Sequence, residues 1–386
     1  MQLPEQSSAV TRTPGEDSYA ASIAALGCGR STMRRILNGQ SPSEAWQAII
    51  DRVHPEDPDG SLAARARSDM PVVFSRRLQT CGASVLVRGH CGFPAALLDD
   101  PDAPEVLFCL GDPQVLTQRP RVSVVGTRSA TRYGSEVASE LGRDLAAAGV
   151  VVVSGLAAGI DSAAHAGALR HQGDASPVAV IATGIDIAYP RSNVALRDAV
   201  AEQGAVFSEL PPGVPGERWR FADRNRLMAA LSHVVVVVEC HAKGGSLYTV
   251  KAARKRGIDV MAVPGSVRSP ASSGTNALLA DGALVARDVL DVLTAVELAT
   301  TGDRSVLPPI WPKADTGASN GARSVKPPSA TSARLYGFIE AEPASLEMIV
   351  IRSGCNLGQV SLALEELSQL GLVDTERGWW WRSGKR

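Results

Sequence analysis

From Ser84 onward, apolar residues come in short blocks that end in glycine or a small polar residue. SVLVRG, EVLFCLG and RVSVVG open the series. After Arg121 the alternation is regular. VSVVG leads to a stretch of helical spacing near 133–148, and VVVVS to another near 160–171. VAVIATG precedes a helix near 192–203, and AVFSE precedes the segment containing DRNRLMAAL. VVVVVE leads to a helix near 246–256, and IDVMAVPG closes the run. Unbroken Val/Ile blocks mark strands covered on both faces, where a half-exposed strand would alternate apolar with polar. Strands that alternate with helices in this way predict an α/β fold with a doubly wound, mostly parallel sheet, with the rhythm beginning at about Val72.

The flanks follow other rhythms. Residues 1–18 are polar and read as a disordered N-terminus. Over 19–65, Ala21, Ile23, Ala24 and Leu26, then Met33, Ile36 and Leu37, then Trp46, Ile49 and Ile50 recur at helical spacing. This is a small helical domain of SAM or HhH-like size, with breaks at LGCGR and NGQSPSEAW and Ser41 or Ser43 as an N-cap. The sheet domain is assigned to 70–298. Residues 299–333 are rich in Pro, Ser, Gly and Ala, keep no period, and read as a linker. Residues 334–386 restart as helix, short helix and an amphipathic helix through Val360, Leu362, Leu364, Leu367 and Leu370 that Gly371 stops. The remainder, LVDTERGWWWR, is hairpin-sized, with Trp379 to Trp381 read as packing residues. Three helices and a hairpin predict a winged helix.

Composition sets limits rather than a function. The chain has 386 residues, 45% of them hydrophobic, and a formal net charge of -1. That length implies two or three domains. Six cysteines show no CxxC and no Cys/His metal spacing, which points to a reducing compartment and no zinc site. The N-terminus has no apolar core of a signal peptide, and VVVVV at 234–238 is too short to span a bilayer. The expectation is a cytoplasmic protein with no membrane partner.

Candidate chemistry collects where the strands end, the edge at which open parallel sheets bind ligands. Gly126, Thr127 and Arg128 follow one strand, Ser154, Gly155 and Gly159 the next. Thr183-Gly184 and Gly244-Gly245-Ser246 follow two more. Glycine lets backbone approach a ligand closely, and helix N-termini favour anions, so these turns predict a phosphate-binding groove. Cations support it: Arg128, Arg191, Arg224 and Arg226, within a stretch 217–256 holding nine Lys/Arg against three Asp/Glu, a local +6. Paired arginines suit phosphate forks and stack on bases; Lys255 and Arg256 read as a solvated helix face. Neither GxGxxG nor GxxxxGK[ST] is present in proper form. Asp161 and His165 lie four apart on one helix, but Asp161 reads as a helix-start residue and His165 as a packed one. Glu209 and Glu239 end strands without an accompanying nucleophile. The constellation binds, and no cofactor or metal is called for.

The segments VVGTRSATRYG, SGLAAGIDSAAHAGAL, ATGIDIAYPRSN, FSELPPG, FADRNRLMAALSHVVVVVECHAKGGSL and AVPGSVRSPASSGTNALLADGA, in this order, resemble the DprA (Smf) family of bacterial DNA-processing proteins. The resemblance covers about 70–290. It implies an extended Rossmann-like domain that binds single-stranded DNA, protects incoming strands in natural transformation, loads the RecA recombinase, and forms a homodimer. By motif position it implies phosphate contacts from Arg128 and Arg191, with Asn193 beside the latter. Ser154, Gly155 and Gly159 would shape a turn, and Phe221, Arg224, Asn225 and Arg226 would match an FPxRNR element. Lys243, Gly244 and Ser246 would match an SGSL loop. Ala222 stands in place of Pro in the first element, Gly245 in place of Ser in the second, and Tyr248 and Val250 depart from the LITA that follows. The competing class is a Rossmann-like hydrolase of nucleotide monophosphates, whose PGGxGTxxE motif this chain lacks.

Overall fold

The computed structural model describes residues 14–117, 120–171, 175–301, 330–339, 344–370, 372–376 and 379–382. The chain divides into two compact units, Met1–Pro308 and Pro309–Arg386.

The first unit begins with α1 (Glu16–Ala25), α2 (Arg30–Leu37), α3 (Pro42–Ile50), α4 (Ser61–Arg65) and α5 (Met70–Cys81). Helix α1 starts inside the tail expected to be disordered, and residues 1–13 of that expectation lie outside the described residues. Of the two candidate caps for α3, Ser41 is the one used. Its side chain accepts from Glu44 N while the Glu44 carboxylate accepts from Ser41 N, and Pro42 follows at the first helical position. Val72 and Val73, read as the onset of strand rhythm, lie in α5. That helix buries Phe74 and Leu78 on one face and stops at Gly82 in the left-handed region.

The sheet strands are β1 (Ser84–Val87), β2 (Val106–Gly111), β3 (Arg121–Val125), β4 (Val151–Ser154), β5 (Val178–Val180), β6 (Ala205–Ser208), β7 (Val234–Val237), β8 (Asp259–Ala262) and β9 (Leu284–Val285). Their order is β1-β2-β6-β5-β4-β3-β7-β8-β9. The pairs β1–β2 and β2–β6 are antiparallel and the others parallel. This is the mostly parallel Rossmann-like sheet expected.

The connecting helices are α6 (Arg132–Ala147), α7 (Ile160–Ala168), α8 (Val194–Gln203), α9 (Arg218–Ala230), α10 (Leu247–Lys255), α11 (Ser273–Ala280) and α12 (Val289–Thr301). Val151 and Val153 face α9 and α10, whereas Val152 faces α6 and α7. Both faces are therefore dry, and the run must be apolar throughout. The chain winds β3 to β6 in one direction, returns through α9, and adds β7 and β8 on the other side of β3. The β3–β7 boundary is the point where the winding reverses.

The second unit holds α13 (Ala330–Phe338), β10 (Ala344–Ser345), α14 (Leu346–Ser353), α15 (Leu357–Gln369), β11 (Val373–Glu376) and β12 (Trp379–Arg382). The expected hairpin is β11–β12, and β10 adds a third strand on β12. Leu335, Ile349, Val360, Leu364 and Leu367 are its core, with Trp380 packed against them. Leu362, read as part of that apolar face, is instead 71% exposed, because residues two apart from Val360 and Leu364 point to another side of a helix. Of the expected linker, 299–301 belong to α12 and 330–333 to α13. Residues 302–329, and the stop at Gly371, lie outside the described residues.

Helices α6 and α7 meet backbone to backbone. A Cβ at Gly142 would collide with the Ala164 carbonyl, and one at Gly167 with the Ser139 carbonyl. Gly167→Ala should lose roughly 2 kcal/mol in urea denaturation despite alanine's better helix propensity, since overpacking costs about 1–3 kcal/mol. Gly245→Ala, with nothing within 4 Å of the added carbon, should be neutral. Equal midpoints for both variants would show that the contact gives way freely.

Candidate nucleic-acid interface

The reversal between β3 and β7 leaves a cleft beyond their carboxyl ends, and a cavity of about 380 Å³ occupies it. Its walls come from the loop after β3 (Gly126, Thr127, Arg128), the start of α7 (Ala157, Asp161), one side of α9, and the loop entering α10 (Gly244, Gly245, Ser246). From α9 come Arg218, Phe221, Ala222, Arg224, Asn225 and Met228, and from α10 Tyr248 and Thr249.

The glycine turns are tight because main chain packs on main chain. Gly159 has φ 81, and a Cβ there would strike the Thr127 and Arg128 carbonyls. A Cβ on Gly155 would strike the Arg224 guanidinium, and one on Gly244 would sit 2.5 Å from Cys240 Sγ. Several amides of these turns are already engaged, within the turn or by a neighbouring loop. Thr127 N donates to Glu239 O at 2.8 Å, Ile160 N to Thr127 O at 3.2 Å, and Leu247, Tyr248 and Thr249 to the carbonyls of Gly244, Gly245 and Ser246. These amides are therefore not free for an anion, which departs from the sequence reading.

Arg128 is exposed, and its guanidinium lies 4.8 Å from the centroid of the Phe221 ring. Phe221 in turn meets Tyr189, centroids 4.9 Å apart and planes inclined 50°. Tyr189 is 49% exposed, so cation and two rings form a ladder open to solvent. Arg224 is 5% exposed. It donates to Gly155 O at 2.8 Å and to Val180 O, tying the ends of β4 and β5 together. Asn225 donates to Gly245 O at 3.2 Å and steadies the loop before α10.

Other predicted residues stand behind the cavity or away from it. Ser154 is buried and donates to Val124 O at 2.7 Å. Asn193 braces the turn after β4 through Leu156 O at 2.9 Å and Ser162 Oγ at 2.7 Å. Arg191 and Lys243 are exposed and do not line the cavity. Arg226 is nearly buried and outside the lining, held by Glu209 and by Asp102 O. Glu209 also faces Arg30 of α2 at 3.6 Å, and burial pushes its carboxyl up against the pull of both cations. Glu239 accepts from Thr131 N at 2.9 Å and Thr131 Oγ1 at 2.5 Å, holding the start of α6. The helix face with Lys255 and Arg256 is not free. These side chains pair with Asp102 at 2.7 Å and Asp100 at 2.8 Å, and Arg254 with Asp281 at 2.6 Å. Among the described residues Arg128, Arg191, Arg218 and Lys243 have no carboxylate within 4 Å.

Sequence reasoning missed Arg218 and Thr249 as lining residues. Arg218 lay within the counted basic stretch. Thr249 gave no signal, being one small polar residue on a helix. The described residues contain no cluster suited to a metal ion and no helix long and apolar enough to cross a membrane.

The model of the family DNA recombination-mediator protein A matches residues 84–297. The chain belongs to that family. Protein Smf of Synechocystis is 35% identical over 328 residues, spanning 80% of this chain and 82% of that protein. A putative DNA processing protein DprA of Mycobacterium tuberculosis is 41% identical over 238 residues, 61% of this chain and 58% of its own length. Among solved structures, DprA of Streptococcus pneumoniae superposes with TM-score 0.61 at 30% identity over 70% of this chain and 95% of that one. DprA of Helicobacter pylori, described for its single-stranded DNA binding mode, superposes with TM-score 0.51 at 30% identity over 56% and 95%. The matched segment contains every lining residue of the cavity.

Asp161 and His165, one turn apart on α7, are both buried. Burial pushes Asp161 up to about 6, against the pull of Arg224 and Arg128, and pushes His165 down to about 4. The signs oppose. As pH falls from 6.5 toward 4 the unfolded imidazole takes a proton that the folded one refuses, and stability is lost. Between 6 and 3.8 the folded carboxyl takes a proton first, and stability is gained. Relative to wild type, Asp161→Asn should therefore lose, and His165→Asn gain, about 1–2 kcal/mol on moving from pH 7 to pH 5. Denaturant titrations at both pH values check this; parallel shifts in the two variants would contradict it.

Proposed function

We propose that this member of the family is a recombination mediator that binds single-stranded DNA and is not an enzyme. As a homodimer in the cytoplasm it would cover incoming strands and load the RecA recombinase onto them. The observation that carries the reading is the ladder of Arg128, Phe221 and Tyr189 beside a cavity flanked by the unpaired cation Arg218. Cations without carboxylate partners suit phosphates, and open aromatic faces suit bases that have no complementary strand to stack within. The single-stranded DNA binding mode described for the Helicobacter pylori relative supports the same reading. A hydrolase of nucleotide monophosphates is less well supported, since Glu209 and Glu239 are engaged in structural contacts and His165 does not line the cavity.

The second unit is proposed to be a winged helix that is not the main DNA reader. Its α15, LGQVSLALEELSQ, has no Lys or Arg and carries Glu365 and Glu366. A phosphate-facing helix needs the opposite charge.

Arg128→Ala/Arg218→Ala should weaken binding of labelled oligo(dT) at least about tenfold in fluorescence anisotropy at low salt. It should also flatten the slope of log affinity against log salt by about 1.4, since each single-strand phosphate contact contributes about 0.7. Superimposable curves for wild type and variant would place the DNA elsewhere. Ending the chain at Thr301 should leave oligo(dT) affinity unchanged; a loss as large as the double variant's would move the main contacts to the second unit.

A further inference from the structure

Helix α9 has a second side, turned away from the cavity at β3 and β7. There a separate cavity of about 440 Å³ lies beyond the ends of β5 and β6, between α9 and the turn from α1 to α2. Its walls include Ala182 after β5, Leu210 after β6 and Gly29 before α2. Trp219, Arg220 and Asp223 of α9 line it, whereas Arg218, Phe221 and Ala222 line the first cavity. That division follows from helical spacing, which sets the two groups on opposite sides of the helix. Arg224 lines both cavities.

Trp219 is 60% exposed, yet its ring is held in place. Its Nε1 donates to Glu217 at 2.6 Å, and the Arg220 guanidinium stands 5.0 Å from the ring centroid. Arg220 Nη2 donates to the same carboxylate at 3.2 Å. Arg220 Nε and Nη1 are shut from solvent and have no hydrogen-bond partner among the described residues. Buried donors without acceptors are uncommon, so Arg220 is placed for the ring. The indole is thereby fixed before any ligand arrives, with aromatic surface still open to solvent.

The neighbours restrict what stacks on it. The second cavity balances its own charges, Arg30, Arg220 and Arg224 against Glu105, Glu209 and Asp223. It therefore suits an uncharged ring better than an anion. Arg218, next to Trp219 in the chain, has no carboxylate within 4 Å among the described residues and lines the first cavity beside Phe221. A phosphate on Arg218 would stand between a base at Phe221 and a base at Trp219. A polynucleotide supplies that alternation of anion and flat ring.

We propose that, within the single-stranded DNA reading on which this rests, Trp219 is a second stacking platform: the strand crosses the first turn of α9 with a phosphate on Arg218 and lays a further base against the indole, on the side of the N-terminal helices. The α1–α2 turn is then the far wall of the DNA site. Every base has a flat face, so this contact adds affinity without sequence preference.

The test uses the full chain, labelled oligo(dT) and a strand of the same length in which abasic residues replace the thymines. Trp219→Ala should bind oligo(dT) about tenfold more weakly than wild type, as stacking contributes about 1–3 kcal/mol per base. The salt slope should not change, since no phosphate contact is lost. Wild type and Trp219→Ala should bind the abasic strand equally. Trp219→Phe should keep most of the affinity, and Trp219→Leu, apolar without an aromatic face, should match Trp219→Ala. Oligo(dT) carrying 5-iododeoxyuridine should photocrosslink to Trp219 in peptide mapping. Unchanged oligo(dT) affinity in Trp219→Ala, an equal loss on the abasic strand, full recovery by leucine or no adduct at Trp219 would each overturn the platform and leave DNA binding standing. Failure of wild type to bind any strand would overturn both.

Discussion

Strands β3 and β7 run parallel and in register, Val125 beside Val237, and the site depends on that pairing. The chain leaves β3 toward α6 on one face of the sheet and enters β7 from α9 on the other. Nothing fills the space above the two strand ends, because the connections diverge there. Parallel pairing brings Gly126 to Arg128 and the loop 240–246 to one edge, so residues more than a hundred positions apart line a single cavity. The constraint is topological and would hold for many sequences with this winding. What is particular to this chain is how the edge is braced.

The brace is Arg224. A guanidinium with 5% exposure would be costly if unpaired, and here it donates to carbonyls at the ends of β4 and β5. Burial brings it down only to about 10, so it stays charged and sets a positive potential beneath the cavity. Gly155 is glycine because a side chain there would occupy the guanidinium's place. Arg226, two residues on, points elsewhere on α9 and serves the contact with the N-terminal helices through Glu209. In one short motif, then, one arginine builds the floor and the other attaches a neighbouring subdomain, and neither is the exposed phosphate fork that adjacent arginines suggest.

Much of the fold was legible because its signals are local. The valine runs mark strands buried on both faces, the glycines after them mark turns, and Ser41 with Glu44 three residues later marks a helix start. The onset at Val72 misled because Val-Val inside MPVVFSRRLQTC has no strand neighbours, and burial of Phe74 and Leu78 four apart decides for helix. The site was legible in outline for the same reason: Arg128, Phe221 and Gly244 sit in segments of unusual composition. Their division of labour was not, since whether a cation is free or paired depends on contacts across the fold. Lys255 and Arg256 are neutralised by Asp100 and Asp102, about 150 positions earlier, which no local count of charge contains. The fate of two turn amides was hidden likewise, because the acceptors of Thr127 N and Ile160 N belong to neighbouring loops.

The cavity joins two kinds of polarity that a simple anion site would keep apart. Its rim is cationic and reaches solvent through Arg128 and Arg218, while its floor holds a carboxylate among apolar walls. If the cavity existed only to neutralise phosphate, Asp161 would oppose it. If Asp161 existed only to start α7, it could do so from the solvent side of the first turn, where the helix dipole stabilises a carboxylate without the cost of burial. The attraction of Arg224 and Arg128, with hydrogen bonds from the main chain of Ala157 and Gly155, holds the carboxylate against the cost of burial and ties the start of α7 to the turn after β4.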